Sequence, residues 1–373
     1  MKILIVMGGF FPGQKYGGPP VSVNNFCSLF REDECYIVTK NHDKDESVPY
    51  EGIDSGIWTK RDNCYVKYVS DESYKKSEFE KVILEIKPDV LYLQGLFQSC
   101  VLPCLELAKQ YSLKVVLAPR GELCAGALKK KYKKIPYIAY LKMKNLVRNI
   151  EYQSTSEEES AAIIKYLKAD SEKIHFLTNI PSIPEKQYIH ELKKSGEGKF
   201  VFVSRIHPKK NLISAIEYMK DIKGKVVFDI YGPIEDEEYW KQCNQKIHEL
   251  PQNITVNYCG LVSHEKVHEI FSLYNAFLFP TFSENYGHVI AEALSVGTAV
   301  IISDQTPWSD INEAKAGWAI PLDNREKFVE AIQSVIDQKP DDNQKQIKAV
   351  EKYINNKVNL KEIRQEYKKA FDL

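Results

Sequence analysis

The stretch AFLFPTFSENYGHVIAEALSVGTAVIIS, residues 276–303, contains two short apolar runs separated by a segment with helical spacing. The runs AFLFP (276–280) and GTAVIIS (297–303) have the length and composition of buried strands. Between them an apolar face starts after Gly287, which predicts a helix beginning near that glycine. A strand, a helix and a second strand in this order predict one repeat of a parallel α/β sheet.

The same alternation runs along both halves of the chain. In the second half, strands are predicted over residues 199–205, 225–232 and 254–260, in addition to the two above. In the first half, strands are predicted over residues 2–7, 35–39, 89–94, 114–119 and 173–178, with helices over 77–85 and 157–167. Residues 179–199 are rich in Pro, Lys and Glu and are typical of a linker. We therefore expect an α/β protein with two doubly wound, Rossmann-like domains in tandem.

Composition restricts the class of protein. Fifty-one Lys and Arg balance 51 Asp and Glu, so no overall charge favours nucleic acid as a partner. The eight cysteines lack CxxC spacing, which is typical of free thiols in a reducing cytoplasm. Met1 and Lys2 lead directly into an apolar run rather than a signal peptide, and no apolar run is long enough to span a bilayer. We expect a cytoplasmic protein, either soluble or lying on a membrane surface.

Two glutamates lie eight residues apart around the predicted helix start. Glu284 lies in the loop before the helix, and Glu292 lies on its second turn among small apolar residues. An unpaired carboxylate buried there would cost several kcal/mol, so Glu292 needs polar partners such as the two hydroxyls of a ribose. Helix N–H groups beginning near Gly287 would suit a phosphate. Glu292 in isolation would more often face solvent, but the pair in this context favours a binding site.

Two cations follow the first strand of the second half. Arg205 ends the run KFVFVSR, and Lys210 lies five residues further on. Arginine binds phosphate oxygens in a bidentate manner and lysine acts as a point charge, so together they could hold a diphosphate. Lys209 between them is interpreted as a solvated turn residue.

These motifs resemble the retaining GT-B glycosyltransferases, a family that includes sucrose synthase-like enzymes and bacterial polysaccharide-assembling enzymes of the group 1 type. The resemblance covers nearly the whole chain. It rests on Arg205, Lys210, Gly232 of DIYGP, Gly260 of NYCGLV, and the Glu-x7-Glu stretch SENYGHVIAEALSVGTAVIISDQTPW.

The resemblance implies a GT-B fold, with two Rossmann-like domains facing across a cleft. The acceptor-binding domain would comprise residues 1–180 and a crossing helix over 357–373. The nucleotide-sugar-binding domain would comprise residues 198–356. The implied reaction is metal-independent transfer of a sugar from a nucleoside diphosphate sugar to a hydroxyl, with no cofactor and with the anomeric configuration kept.

The resemblance also implies roles for individual residues. Glu284 would contact the donor's sugar hydroxyls, Glu292 its ribose, and Arg205 and Lys210 its diphosphate, which makes Arg205, Lys210 and Glu284 the catalytic candidates. Leu261 would lie near the base. The other implied donor-binding residues surround the helix start: Asn285, Tyr286, Gly287, His288 and Val289.

In the first half, a glycine pair precedes a predicted helix. Gly17 and Gly18 stand before Pro19, without a GxGxxG pattern, and the resemblance implies that this loop faces the donor phosphates and the acceptor. The family often has a histidine near the sugar in this half. Here Gln94, Arg120 or Glu122 occupies that region, and Arg120 is taken as the substrate-binding candidate.

A basic segment interleaved with tyrosines covers residues 129–148. Two interpretations stay open: a solvated face, or a patch for the anionic inner face of the plasma membrane that would bring a lipid-linked saccharide acceptor to the site. A DxD motif, typical of metal-dependent transferases, occurs at residues 43–45 beyond a strand and is interpreted as a solvated loop.

Two alternatives to a transferase remain. One is a different enzyme on the same fold, a nucleotide-sugar epimerase or a phosphorylase, although no Schiff-base lysine for a pyridoxal-type phosphorylase is evident. The other is a catalytically silent nucleotide-sugar-binding subunit of a transferase complex. The presence of both glutamates and both cations favours the transferase.

Overall fold

The computed structural model describes residues 1–124, 128, 131–184 and 186–372. The chain forms two compact units, one made of Met1–Ile180 with Leu360–Leu373 and the other of Pro181–Asn359. Each unit is built on a sheet whose strands are joined mainly through helices, as the alternating sequence pattern predicts.

The first unit contains an eight-stranded sheet with the order β3-β4-β2-β1-β5-β6-β7-β8. Neighbouring strands are parallel, apart from the antiparallel hairpin of β3 and β4 at one edge. The strands are β1 (Lys2–Val6), β2 (Glu34–Lys40), β3 (Trp58–Arg61), β4 (Cys64–Val69), β5 (Val90–Gln94), β6 (Lys114–Ala118), β7 (Glu151–Ser154) and β8 (Ile174–Phe176). The helices that follow them are α1 (Gly18–Leu29), α2 (Lys76–Ile86), α3 (Val101–Tyr111), α4 (Lys131–Met143) and α5 (Glu157–Leu167).

The second unit contains a six-stranded parallel sheet with the order β11-β10-β9-β12-β13-β14. Its strands are β9 (Glu197–Val203), β10 (Lys225–Tyr231), β11 (Ile254–Gly260), β12 (Ala276–Phe279), β13 (Ala299–Ser303) and β14 (Gly317–Ile320). Its helices are α6 (Leu212–Tyr218), α7 (Glu237–His248), α8 (Val267–Ser272), α9 (His288–Ser295), α10 (Arg325–Asp337) and α11 (Pro340–Lys357). Residues 276–303 form β12, α9 and β13, and α9 begins one residue after Gly287 as predicted.

The last helix, α12 (Leu360–Phe371), belongs to the first unit although the preceding α11 belongs to the second. It starts three residues later than the predicted boundary at residue 357, because Lys357 still ends α11. Phe371 of α12 is fully buried, and its ring centroid lies 5.2 Å from that of Phe26 and 4.9 Å from that of Tyr92. The C-terminal helix therefore supplies part of the first unit's core.

Four strands of the structure are absent from the sequence-based prediction: β3, β4, β7 and β14. In β4 the apolar pattern is interrupted by Lys67, which is buried and forms a 2.8 Å ion pair with Glu78 of α2. In β7 the buried Gln153 donates from its amide nitrogen to the Tyr367 hydroxyl of α12 at 2.8 Å. In both strands a buried polar side chain therefore has its partner on a helix rather than within the strand.

Replacing Phe371 with alanine is expected to destabilise the first unit by about 3–5 kcal/mol, because the substitution empties a fully enclosed aromatic site. Hydrogen exchange measured peptide by peptide in increasing urea would report the two units separately. Lys369→Ala, on the exposed face of the same helix, is the matched control and should change the free energy of unfolding little. Equal stability of the Phe371 and Lys369 variants would show that α12 is not part of this core.

Candidate functional site

The carboxyl edge of the second unit's sheet gathers most of the predicted site residues. Because the strands are parallel, the loops that follow them emerge at the same edge. Arg205 and Lys210 follow β9, Leu261 follows β11, and Glu284 follows β12. Of the strands that precede these residues, β9 and β12 are direct neighbours in the sheet.

Hydrogen bonds join the loop after β9 to the loop after β12. The Asn211 side-chain amide donates to the Pro280 carbonyl at 2.9 Å, and the Phe282 N–H donates to the Lys209 carbonyl at 3.0 Å. Asn211 has a left-handed backbone conformation with φ 57°, which asparagine tolerates better than most residues. Because these two hydrogen bonds hold the loops together, the side chains of Lys210 and Glu284 meet in a defined position.

Lys210 and Glu284 form an ion pair. Lys210 Nζ lies 2.5 Å from Glu284 Oε1, and the Thr281 hydroxyl donates to the same oxygen at 3.1 Å. The side chains of Lys210 and Glu284 are only 12% and 14% exposed. Burial lowers the pKa of the Lys210 ammonium, while the Glu284 carboxylate acts in the opposite direction. Lys210 and Glu284, for which separate roles are expected from the sequence, are therefore in direct contact.

Arg205 has a carboxylate partner that the sequence analysis missed. Its Nη1 lies 2.8 Å from Glu235 Oε1 and 2.6 Å from Glu235 Oε2, and each side chain is about one-third exposed. An anion was expected beside Arg205, but the one present is a side chain of the same chain. The placement of Glu235 just after β10, which neighbours β9, is the signal that could have identified it.

The turn between β10 and α7 requires a glycine. Gly232 has φ 138°, and a Cβ at this position would lie 1.9 Å from the Ser204 carbonyl oxygen. The main chain that carries Glu235 can therefore approach the end of β9, next to Arg205, only because Gly232 has no side chain.

The start of α9 is fixed by Gly287 and Trp308. Gly287 has φ 78°, and its carbonyl accepts the Ile290 N–H at 2.8 Å. Trp308 Nε1 donates to the Tyr286 carbonyl at 2.6 Å, which anchors the residue before the glycine. Asn285 is exposed, while His288 and Val289 are partly buried. The loop therefore has a defined shape at the point where a phosphate was expected.

Glu292 is buried, as the sequence interpretation favoured. It is 5% exposed, and its neighbours Ala291 and Ala293 on α9 are fully buried. Burial raises the pKa of the Glu292 carboxyl to about 7. The nearest polar group among the described ion pairs and hydrogen bonds of this carboxylate is His264 Nδ1, 3.6 Å from Oε1. That distance is longer than a hydrogen bond, so the carboxylate retains capacity to accept hydrogens.

Leu261 follows β11 directly and is 55% exposed. An exposed leucine at a sheet's carboxyl edge offers an apolar surface that a planar base could contact. It follows Gly260, which has φ 74° and turns the main chain away from the strand.

In the first unit, the glycine pair lies at the start of α1, and Gly17 has φ 73°. The loop before it is held by Asp43, which is 8% exposed and accepts from the Gln14 N–H at 2.8 Å and the Lys15 N–H at 3.2 Å. The DxD motif is a loop as predicted, but the expectation that it lies amid solvated charge is wrong for Asp43. Its carboxylate is used within the unit as an acceptor for main-chain amides.

Arg120 forms a hydrogen-bond network inside the first unit. Its Nε donates to Gln94 Oε1 at 2.8 Å, its Nη1 to Asn179 Oδ1 at 2.7 Å, and its Nη2 to the Tyr92 hydroxyl at 3.3 Å. Glu122 accepts from the main-chain N–H groups of Leu96 and Phe97 at 2.5 and 3.0 Å. These two candidates therefore have internal structural partners in addition to any ligand.

Across residues 1–124, 128, 131–184 and 186–372, no cluster of three or more His, Cys, Asp or Glu could hold a metal ion. Within the same ranges, none of the helices combines the length and apolar character needed to cross a bilayer.

Comparison with known proteins finds a family match within the second unit. Residues 185–353 match the family model of glycosyl transferases group 1. The O-antigen chain mannosyltransferase RfbU of Salmonella typhimurium is 27% identical over 208 residues, an alignment that covers 55% of this chain and only 56% of that relative.

Solved structures match over the whole chain at low identity. HepE of Anabaena in complex with UDP and glucose has a TM-score of 0.71 at 13% identity, covering 100% of this chain and 99% of that one. WaaG, a glycosyltransferase involved in lipopolysaccharide biosynthesis, has a TM-score of 0.65 at 13% identity. The match covers 99% of this chain and 98% of that one. The sucrose-phosphate synthase of Thermosynechococcus elongatus has a TM-score of 0.68 at 13% identity. The match covers 100% of this chain and 98% of that one. The chain has the GT-B fold, and within it residues 185–353 match the family model of glycosyl transferases group 1.

Proposed function

We propose that this protein is a retaining glycosyltransferase. It transfers a sugar from a nucleoside diphosphate sugar to a hydroxyl of a saccharide or lipid-linked saccharide during surface polysaccharide assembly. The observation that carries the proposal is the placement of two glutamates on either side of the α9 start: Glu284 is paired with Lys210, and the buried Glu292 has no lysine or arginine among its described ion-pair partners. The names of the relatives support the pathway, since RfbU acts on O-antigen chains and WaaG in lipopolysaccharide biosynthesis.

The donor's ribose is assigned to Glu292. A buried carboxylate is costly unless it accepts hydrogen bonds, and two neighbouring ribose hydroxyls supply two donors to its two oxygens. The base then lies toward the exposed Leu261, and the diphosphate toward the start of α9. HepE, which has a similar fold, was crystallised with UDP-glucose, and this supports a nucleotide sugar as the donor class.

The diphosphate is assigned to Arg205, Lys210 and the N-terminus of α9. An ammonium has three donors and a guanidinium five, whereas the described contacts use one nitrogen of each side chain, toward Glu284 and Glu235. Phosphate oxygens can therefore be bound without breaking either ion pair. Both cations lie where negative charge develops as the bond to the sugar breaks, and they take the place of a metal ion.

The chemical step needs no nucleophilic carboxylate in this scheme. The bond between the anomeric carbon and the donor phosphate breaks, and the acceptor oxygen bonds to that carbon on the same face. The acceptor's proton passes to the departing phosphate. Glu284 contacts the sugar hydroxyls, and its pairing with Lys210 fixes the sugar-binding group relative to the phosphate-binding group.

Nucleotide release from a panel of nucleotide sugars, with lipid-linked saccharides as acceptors and EDTA present, tests this function. Lys210→Ala is expected to lower kcat by about 100-fold to 1,000-fold, because it removes a positive charge that stabilises the leaving group. Lys209→Ala, an adjacent exposed lysine, is the control and should keep full activity. Full activity of the Lys210 variant would contradict the diphosphate assignment. Activity lost in EDTA and restored by manganese would contradict metal independence.

Donor binding is expected to depend on pH through Glu292. Its raised pKa of about 7 means that the carboxyl is largely protonated at pH 6 and largely ionised at pH 8. The ionised form accepts hydrogen bonds from hydroxyls more strongly, so nucleotide affinity should rise with pH across that interval. Calorimetric titration of the wild type and of Glu292→Gln would measure this. The glutamine variant should bind more weakly at pH 8 and lose the dependence, whereas parallel pH profiles would remove the ribose assignment.

We also propose that the basic segment at residues 129–148 binds an anionic membrane surface at the inner face of the plasma membrane. Residues 129 and 130 and the side chains of 131–133 lie outside the described part of the structure. In the remainder of α4 and the turn after it, Ile135 and Met143 are 41% and 74% exposed, and Lys142 and Lys144 beside Met143 are exposed. Apolar and basic side chains on one exposed segment are typical of an interfacial anchor.

Sedimentation with vesicles of anionic lipid is expected to remove the protein from solution at low salt, and neutral vesicles should not. Each basic residue near the surface contributes about 1 kcal/mol, so replacing both Lys142 and Lys144 with glutamate should weaken binding at least tenfold. Replacing Lys199 and Lys220, exposed lysines of the second unit, provides a control of equal charge change. Equal sedimentation with anionic and neutral vesicles would reject the membrane proposal.

A further inference from the structure

Two histidines at the start of α8 have different partners. His264 belongs to the turn His264–Lys266 that precedes α8, and His268 lies one helical turn later. His268 Nε2 lies 3.2 Å from the Ser182 carbonyl oxygen, which ties the helix to the segment leading into the second unit. His264 Nδ1 instead faces Glu292 Oε1 at 3.6 Å.

The surroundings of His264 keep its imidazole neutral. Its side chain is 18% exposed, and that of Glu292 is 6% exposed. Burial lowers the pKa of His264 to about 4, and the nearby His268 acts in the same direction. The pair at neutral pH is therefore not an imidazolium–carboxylate ion pair. A neutral imidazole can still donate one hydrogen bond to a carboxylate when Nδ1 carries the proton.

The His264 imidazole and the Glu292 carboxylate lie close to hydrogen-bond distance but not within it. At 3.6 Å the atoms are about 0.5 Å beyond hydrogen-bond range, which a small side-chain rotation covers. Among the described residues, the electrostatic partners of Glu292 are His264 and the Tyr286 phenol. The described ion pairs of Glu292 include no lysine or arginine. His264 is thus the group that can fix the rotamer of this carboxylate.

We infer that His264 is a positioning residue for Glu292 in the binding of a ribonucleoside diphosphate. It donates to one carboxylate oxygen and directs the carboxylate toward the two neighbouring hydroxyls of the ribose. Leu261, the residue assigned to the base, lies three positions earlier on the same loop. One short segment after β11 therefore orients both the base and the acid that binds the ribose. This inference rests on the proposed function, because it takes Glu292 as the ribose ligand.

Calorimetric titration with two pairs of probes tests the inference: UDP against 2′-deoxy-UDP, and GDP against 2′-deoxy-GDP. The wild type is expected to prefer the ribose form of the nucleotide that it binds by about tenfold. His264→Ala should weaken binding of the ribose form by about threefold to tenfold and leave the deoxy form nearly unchanged, so that the preference collapses. His264→Asn, whose amide nitrogen can replace Nδ1 as a donor, should restore most of the preference. A purely structural role would weaken both forms equally.

Glu265→Gln is the matched control, because Glu265 lies in the same turn and is exposed. It should keep the wild-type preference. Glu292→Gln separates the two levels of the argument. If that variant loses the preference for ribose while His264→Ala retains it, the inference is wrong and the ribose assignment stands. If Glu292→Gln retains the preference, or the wild type binds neither nucleotide, the ribose assignment fails and the inference fails with it.

Discussion

The contact between Lys210 and Glu284 is the constraint on which the arrangement of the site depends. It joins the loops after β9 and β12, two neighbouring strands, at a distance of 2.5 Å. A pair this enclosed adds little net stability, because desolvation of both ions offsets most of their attraction. Removing one partner is different, since it leaves an uncompensated buried charge and typically costs about 3–5 kcal/mol. The contact therefore works mainly as a geometric constraint: neither side chain can move independently.

This constraint alters the electrostatic picture that the sequence suggested. Two cations were expected to form a positive clamp, but Arg205 pairs with Glu235 and Lys210 with Glu284. The formal charges of these four groups cancel. Under the proposed assignment, an incoming diphosphate would be held by directed donors, namely the remaining N–H groups of both cations and the start of α9, more than by net positive charge. Such preorganised donors need little rearrangement as charge builds on the leaving group.

The sequence predicted most strands of both sheets and missed β3, β4, β7 and β14, two of which contain a buried polar side chain. Lys67 in β4 and Gln153 in β7 have their polar partners on other elements, Glu78 of α2 and Tyr367 of α12, and the second of these is remote in sequence. The predicted site residues show the same dependence on contacts between elements. Glu284 and Glu292 were identified from one local motif, but Glu235 was missed because its partner precedes it by 30 residues. Buried polar contacts of this kind are specified by tertiary structure, and composition or periodicity does not reveal them.

The two glutamates of the motif differ in environment, and this difference is the physical basis for giving them separate roles. Glu284 contacts an ammonium and a hydroxyl, so its negative charge is compensated by the protein itself. Glu292, eight residues later, is enclosed by fully buried alanines, and burial raises its pKa to about 7. A carboxylate compensated internally is a fixed part of the framework, whereas one left uncompensated gains most from a ligand that donates hydrogen bonds. Under the proposed ribose assignment, hydroxyl donors would offset part of the free energy that burial of Glu292 costs, so nucleotide binding would depend more on Glu292 than on Glu284.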